Sequence, residues 1–163
     1  MIKDLLTQKK IAIVGKWIQS ILSTYPPEAA GFMQLQKDQF RNPVGHIISA
    51  NAEKIFDEIA GGYNTERIKS LLDDIIKVRA VQDFSPSQAV GFIFSLKQVI
   101  HSELEYNIKN EKITKELMTL EHRIDQTALA GFDLYSEARE KINQIRLREV
   151  KSKQQYERMM DVR

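Results

Sequence analysis

Few side chains in this sequence could do chemistry: three histidines (His46, His101 and His122), no cysteine, and a polar cluster at Arg79, Gln82, Asp83 and Gln88. Without cysteine there can be no disulfide, zinc–thiolate site, iron–sulfur cluster or thiol nucleophile. No HxxE, HExxH or carboxylate-rich loop accompanies the histidines, so no metal is expected. His46 follows Asn42-Pro43 and reads as a solvated first-turn residue, while His122 lies among Glu121, Arg123 and Asp125 on a polar face. His101 differs, because helical spacing puts it on a face with Val90, Phe94 and Lys97. There it could be a ligand, a pH switch or a satisfied flank residue. As a ligand it would be the axial residue of a haem or another tetrapyrrole.

Arg79 lines up with Ile68, Leu72 and Ile75, so its stem is expected to run along the core. A partly buried guanidinium needs a partner, and Asp83, four residues later, is within reach on a helix. The structural expectation is an ion pair clamping one helix end to the next. The functional one is an anion or small-ligand contact at a pocket mouth formed with Gln82, Gln88 and His101. Gly61-Gly62 lacks the lysine and the strand of a phosphate-binding loop. No Ser, His and acid fall into a pattern suggesting a triad. These observations favour a protein that is not an enzyme and has no resident cofactor.

The elements that must position these groups are helices. The chain has 163 residues, the length of one domain, and its 42 % apolar content is enough for one core. With 7 glycines and 4 prolines, turn punctuation is too sparse for many short strands. Apolar residues recur at three and four from Ile2 to Leu22, centred on Trp17, and Pro26-Pro27 ends that helix. A short helix is expected between residues 28 and 40, ending near Phe40. Asn42-Pro43 restarts the chain as N-cap and first helical residue. The stripe Val44 to Ile59 runs to Gly61-Gly62, where a left-handed glycine stop is expected. A further helix carries Ile68, Leu71, Leu72, Ile75, Ile76 and Val81. Ser85-Pro86-Ser87-Gln88 then reads as a capping box. The helix behind it is apolar on most sides from Ala89 to Leu104, which predicts a central, covered position.

From about Thr114 onward there is no proline and one glycine, Gly131. Ile124, Ala128, Gly131, Tyr135, Ala138, Ile142 and Ile145 alternate at four and three, a heptad-like seam that turns polar afterwards. We expect one long helix whose first half packs on the core and whose second half projects, with Tyr135, Ala138, Ile142 and Ile145 forming a homodimer seam. Residues 139–163 hold eight basic and four acidic side chains. Interspersed acids make this a solvated basic extension of the 1–138 domain, with no nucleic-acid partner and no membrane insertion expected. No stretch approaches the roughly 18 apolar residues of a membrane span, and the N-terminus has no signal-peptide run; a cytoplasmic location is the expectation.

The run Arg79-Ala80-Val81-Gln82-Asp83-Phe84-Ser85-Pro86-Ser87-Gln88-Ala89-Val90, continuing into Phe92-Ile93-Phe94-Ser95-Leu96-Lys97, resembles the N-terminal domain of RsbRD-type co-antagonists of the RsbT kinase. The Trp17 helix, Phe40-Arg41-Asn42-Pro43-Val44-Gly45 and Phe132-Asp133-Leu134-Tyr135 with Arg139-Glu140 are similar in kind. The periodicity gives an all-α core of about five or six helices; the resemblance implies a globin-like module, typically without haem, that dimerises and signals along its last helix within a stressosome. In fuller co-antagonists that helix leads into a STAS domain that contacts the kinase. Here the sequence given reaches Arg163 without one, so the expected partner is a kinase, a STAS protein or a membrane-complex subunit on another chain.

Overall fold

The computed structural model describes residues 1–162, and every regular element among them is a helix. The order is α1 (Ile2–Leu22), α2 (Pro27–Leu35), α3 (Pro43–Ala60), α4 (Thr65–Val81), α5 (Pro86–Val90), α6 (Phe92–Leu104) and α7 (Glu111–Asp161). Five of them close a ring: α1 packs on α3, α3 on α4, α4 on α7, α7 on α6, and α6 back on α1. Short α2 lies across α1 and α3, and α5 lies against α4, α6 and α7. The core fills the ring with Trp17, Phe56 and a dense set of isoleucines and leucines.

Local chemistry explains most boundaries. Asn42 caps α3 by accepting from the Gly45 N–H at 3.0 Å. Its amide also donates to the Met33 and Gln36 carbonyls at 2.8 and 3.0 Å, so one buried side chain fastens the end of α2 to the start of α3. The Ser85 capping box forms in both directions. Asn64 and Asn110 cap α4 and α7.

Three expectations need correction. The helix after Pro26-Pro27 stops at Leu35 instead of near Phe40, because Gln36 turns extended and Asn42 captures the carbonyls at its end. The helix after the capping box is two pieces broken at Gly91, and Phe94 is about half exposed where a covered, central helix was expected. Neither glycine of Gly61-Gly62 takes a left-handed conformation; Tyr63 does, with φ 53°. Its N–H closes onto the Glu58 carbonyl at 2.9 Å, and its hydroxyl lies 3.3 Å from Thr127 Oγ1 on α7. Ring packing on the core offsets the strain of about 1–2 kcal/mol that this conformation costs a non-glycine residue.

Helix α7 is 51 residues long, about 76 Å at 1.5 Å per residue. Its first part is embedded by Ile113, Leu117, Leu120, Ile124, Ala128 and Tyr135. Gly131 lets α6 approach: a Cβ there would meet Ile93 Cδ1 at 3.0 Å. Past Ile142 every described residue is exposed, so the last stretch projects, as expected. It carries Arg146, Arg148, Lys151, Lys153 and Arg158 of the extension; Arg163 lies outside the described residues. Asn42→Ala removes a cap and two buried hydrogen bonds and is expected to cost about 2 kcal/mol in urea unfolding, whereas Ser85→Ala costs about 1. Equal losses would mean that Asn42 acts as a cap alone.

Candidate functional site

The polar cluster of the sequence assembles where α1, α4 and α5 meet. Arg79 ends α4 on its inner face and is fully buried. It does not pair with Asp83, which corrects the expected ion pair. Its Nη1 donates to the Gln88 carbonyl at 2.9 Å, and its Nη2 to Thr24 Oγ1 at 3.0 Å and to the Ile21 carbonyl at 3.4 Å. The Thr24 hydroxyl in turn donates to that Ile21 carbonyl at 2.6 Å. Three rings surround the cation, with Phe84, Phe92 and Tyr25 centroids at 4.8, 4.9 and 5.3 Å from Cζ. Among the described residues Arg79 makes no contact with a carboxylate, and its Nε has no acceptor.

Burial lowers the guanidinium's proton affinity, and burial also raises that of the Tyr25 phenol beside it. The cation is held by dipoles and ring faces alone. Such an arrangement is feasible for a guanidinium, which is weakly hydrated and stacks well, and much less so for an ammonium.

Asp83 is placed by a Schellman turn. The Phe84 N–H reaches the Arg79 carbonyl at 3.2 Å, the Asp83 N–H reaches that of Ala80 at 3.4 Å, and Asp83 itself has φ 60°. An acid at a helix C-terminus opposes the helix dipole. Two arginines of α7 answer it: Arg139 at 3.2 Å and Arg146 at 3.8 Å from Oδ1. Arg139 also donates to the Ala80 carbonyl at 3.0 Å, and the Tyr135 hydroxyl donates to that of Phe84. The turn is therefore bound to α7 at three of its residues.

Of the four expected pocket residues, the structure brings three together. Gln82 and Gln88 line a shallow hollow with Thr24, Asp83 and Phe84, above Arg79. Their side chains are already engaged: Gln82 accepts from the Tyr25 hydroxyl at 3.0 Å, and Gln88 Oε1 accepts from the Ser85 N–H at 3.0 Å. His101 stands apart toward the other end of α6, half exposed, with Nε2 2.6 Å from Glu121 Oε1. His46 lines a different cleft, between α1, α2 and α3. Among the described residues no group of three or more His, Asp or Glu is placed to hold a metal, and no helix is long and apolar enough to cross a membrane.

The expected dimer seam divides. Tyr135 is buried in its own chain, because its ring packs into the core and its hydroxyl is held by Phe84, so it is unavailable to a partner. Ala138 and Ile142 face a groove between α7 and α4. Ile145 is about half exposed. The 4–3 periodicity from Ile124 to Tyr135 is thus the face by which α7 packs on its own bundle. What sequence reasoning missed lies on another face. Met118, Leu129, Phe132, Leu147 and Val150 share it at helical spacing, each at least half exposed.

Fold and site together define an all-helical module built around an unpaired buried cation, with a projecting terminal helix attached to the turn that holds it. The chain belongs to the RsbT co-antagonist protein RsbRD N-terminal domain family, whose model matches residues 11–150. This is a family of regulatory domains. An uncharacterised protein of Archaeoglobus fulgidus is 25 % identical over 143 residues, covering 84 % of this chain and 82 % of its own length. No solved structure matches the chain.

Arg79→Ala would take Arg79's hydrogen bonds from the Gln88 carbonyl and Thr24 Oγ1, leave the Ile21 carbonyl to Thr24 alone, and open empty space among three rings. The expected loss is about 3 kcal/mol in chemical denaturation. Arg79→Met, which refills the space, should recover part of it; a Met variant no better than Ala would mean that the hydrogen bonds carry the whole effect.

Proposed function

We propose that this chain is a non-enzymatic sensory and regulatory domain that acts as a homodimer in the cytoplasm and passes a change at the Arg79 corner along α7 to a protein partner. The observation that carries the reading is Asp83. It sits in the turn that closes over Arg79, and its carboxylate is held by Arg139 and Arg146 at the point where α7 leaves the body. A stimulus that moves the hollow around Gln82 and Gln88 would change the hold on the projecting helix. Two arrangements of α7 with different affinity for the stimulus are all that such transmission requires.

The partner is of the class the family implies: a kinase, a STAS protein or a membrane-complex subunit. The globin-related bundle belongs to the same reading, supported by the helix ring that α7 closes. His101 has no part in it, since its Nε2 is engaged by Glu121, and a tetrapyrrole bound there has no observation in its favour.

For the homodimer, the face of α7 bearing Leu129, Phe132, Leu147 and Val150 is favoured, because it offers exposed apolar side chains on both the body and the tail, with Ser136 and Asn143 between them. A seam at Ile142 and Ile145 is the second reading, supported by the exposure of Ile145 where the core ends.

Two measurements test the proposal. Phe132→Glu with Leu147→Glu is expected to give a monomer in sedimentation velocity. If Ile142→Glu with Ile145→Glu does so instead, the tail seam is the interface, and if neither does, dimerisation through α7 is wrong. Asp83→Asn keeps a side chain suited to the left-handed turn but removes its charge. Amide exchange over residues 139–148 should then speed up several-fold while α4 stays protected; unchanged exchange there would sink the coupling.

A further inference from the structure

Between α1, α2 and α3 lies a cleft of about 490 Å³, separate from the Arg79 corner. That size is in the range of small-molecule sites. Its floor is apolar, from Ile18, Leu22 and Met33, and its rim is polar, from Gln19, Gln34, Lys37, His46 and Ser49. Among the described residues none of those five rim side chains makes a hydrogen bond or ion pair within the chain. No carboxylate lines the cleft. The nearest acid in sequence, Asp38, is turned to its own loop, accepting from the Phe40 N–H at 2.9 Å with Arg41 at 3.9 Å. Lys37 is thus the one fixed charge of the lining.

The back of the cleft is rigid. Asn42 ties α2 to α3 there, and a Cβ on Gly45 would collide with the Asn42 side chain at 2.3 Å. Gly15 is different. It lies within α1, where glycine costs about 1 kcal/mol relative to alanine, yet a Cβ on it would meet nothing within 4 Å. Packing within the chain does not call for a glycine at this position. Its absent side chain serves to keep the wall of the cleft open.

We propose that this cleft binds a small amphipathic monocarboxylate, its carboxylate at Lys37, its short hydrocarbon chain on Ile18, Leu22 and Met33, and its remaining polar groups at the rim amides. A single cation with no competing acid selects one negative charge. The apolar floor selects against fully polar anions such as inorganic phosphate. The cleft also reaches the Arg79 corner through α1, since Leu22 lines it and the adjacent Ile21 carbonyl accepts from Arg79. Binding itself does not depend on the dimeric or coupling reading.

The test is calorimetric titration of the whole chain with the straight-chain series from butanoate to octanoate, each paired with its neutral amide. At least one acid should bind, with its amide roughly tenfold weaker, the value of one hydrogen bond to a charge. Lys37→Gln should weaken the acid by a similar factor, and Gly15→Leu should abolish binding while keeping the helical circular dichroism of the parent. Amide shifts in the unmutated protein should centre on Gly15, Gly45 and Ser49, which keeps the proposal testable if Gly15→Leu does not fold. No binding by any acid of the series, acid and amide bound equally, or shifts centred elsewhere would each overturn it.

Discussion

The structure depends on a positive charge buried without a negative one. Taking an ion out of water costs several kcal/mol even after the protein relaxes, and a carboxylate usually returns part of that cost. At Arg79 the return comes instead from two backbone carbonyls, a threonine hydroxyl and three aromatic faces. These groups belong to separate parts of the chain: Ile21 and Thr24 at the end of α1, Tyr25 just beyond it, Phe84 and Gln88 at the turn and start of α5, and Phe92 opening α6. Apart from Nε, which has no acceptor, the guanidinium makes its hydrogen bonds and ring contacts only when all of them are in place. It therefore acts as a condition on the fold, one that holds four helix ends to a single arrangement.

That condition extends to α7 through the turn that follows Arg79. A Schellman turn ordinarily puts glycine at its left-handed position and an apolar contact behind it. Here the left-handed residue is Asp83, and the contact behind it is the Phe84 ring on the Arg79 cation. Asp83 is doubly unfavourable by local rules, in its backbone conformation and in its charge beside a helix C-terminus. The charge is answered from outside the turn, by Arg139 and Arg146. A local conflict relieved only by a distant element couples the two. Glycine at this position would close the turn more easily but remove the carboxylate that Arg139 and Arg146 share, leaving the Ala80 and Phe84 carbonyls as the turn's links to α7.

How much of this was legible in the sequence follows from the range of each interaction. The Asn42-Pro43 restart, the Ser85 capping box and the Trp17 stripe were readable, since each is decided by neighbours within four residues. The burial of Arg79 was readable from its alignment with Ile68, Leu72 and Ile75. Its partners were not, because they come from α1 and α5, and a carboxylate four residues away was the only acceptor that local spacing could supply. The end of α2 at Leu35 is set by Asn42, seven residues later. The break at Gly91 falls inside a continuous apolar run, where periodicity carries no sign of an interruption. His101 stood on a face with Val90 and Phe94, but that face turns outward along α6, and Glu121 on α7 meets it.

The long helix illustrates the sharpest limit. A 4–3 repeat states which residues share a face and is silent about what covers that face. From Ile124 to Tyr135 the cover is the chain's own α4, α5 and α6, so the repeat that looked intermolecular is intramolecular. Once α7 is embedded on that side, any partner along its body must use what remains exposed, and there the apolar positions are Met118, Leu129 and Phe132. Only past Ile142, where the helix is free on every side, do Ile145 and the pair Leu147 and Val150 become equally reachable. The choice between them is therefore one of apolar area along the helix. A contact at Leu147 and Val150 can add a second apolar patch on the body, at Leu129 and Phe132 beyond the polar Ser136 and Asn143, while a contact at Ile145 is confined to the tail, where Glu149 and Ser152 follow it on the same face.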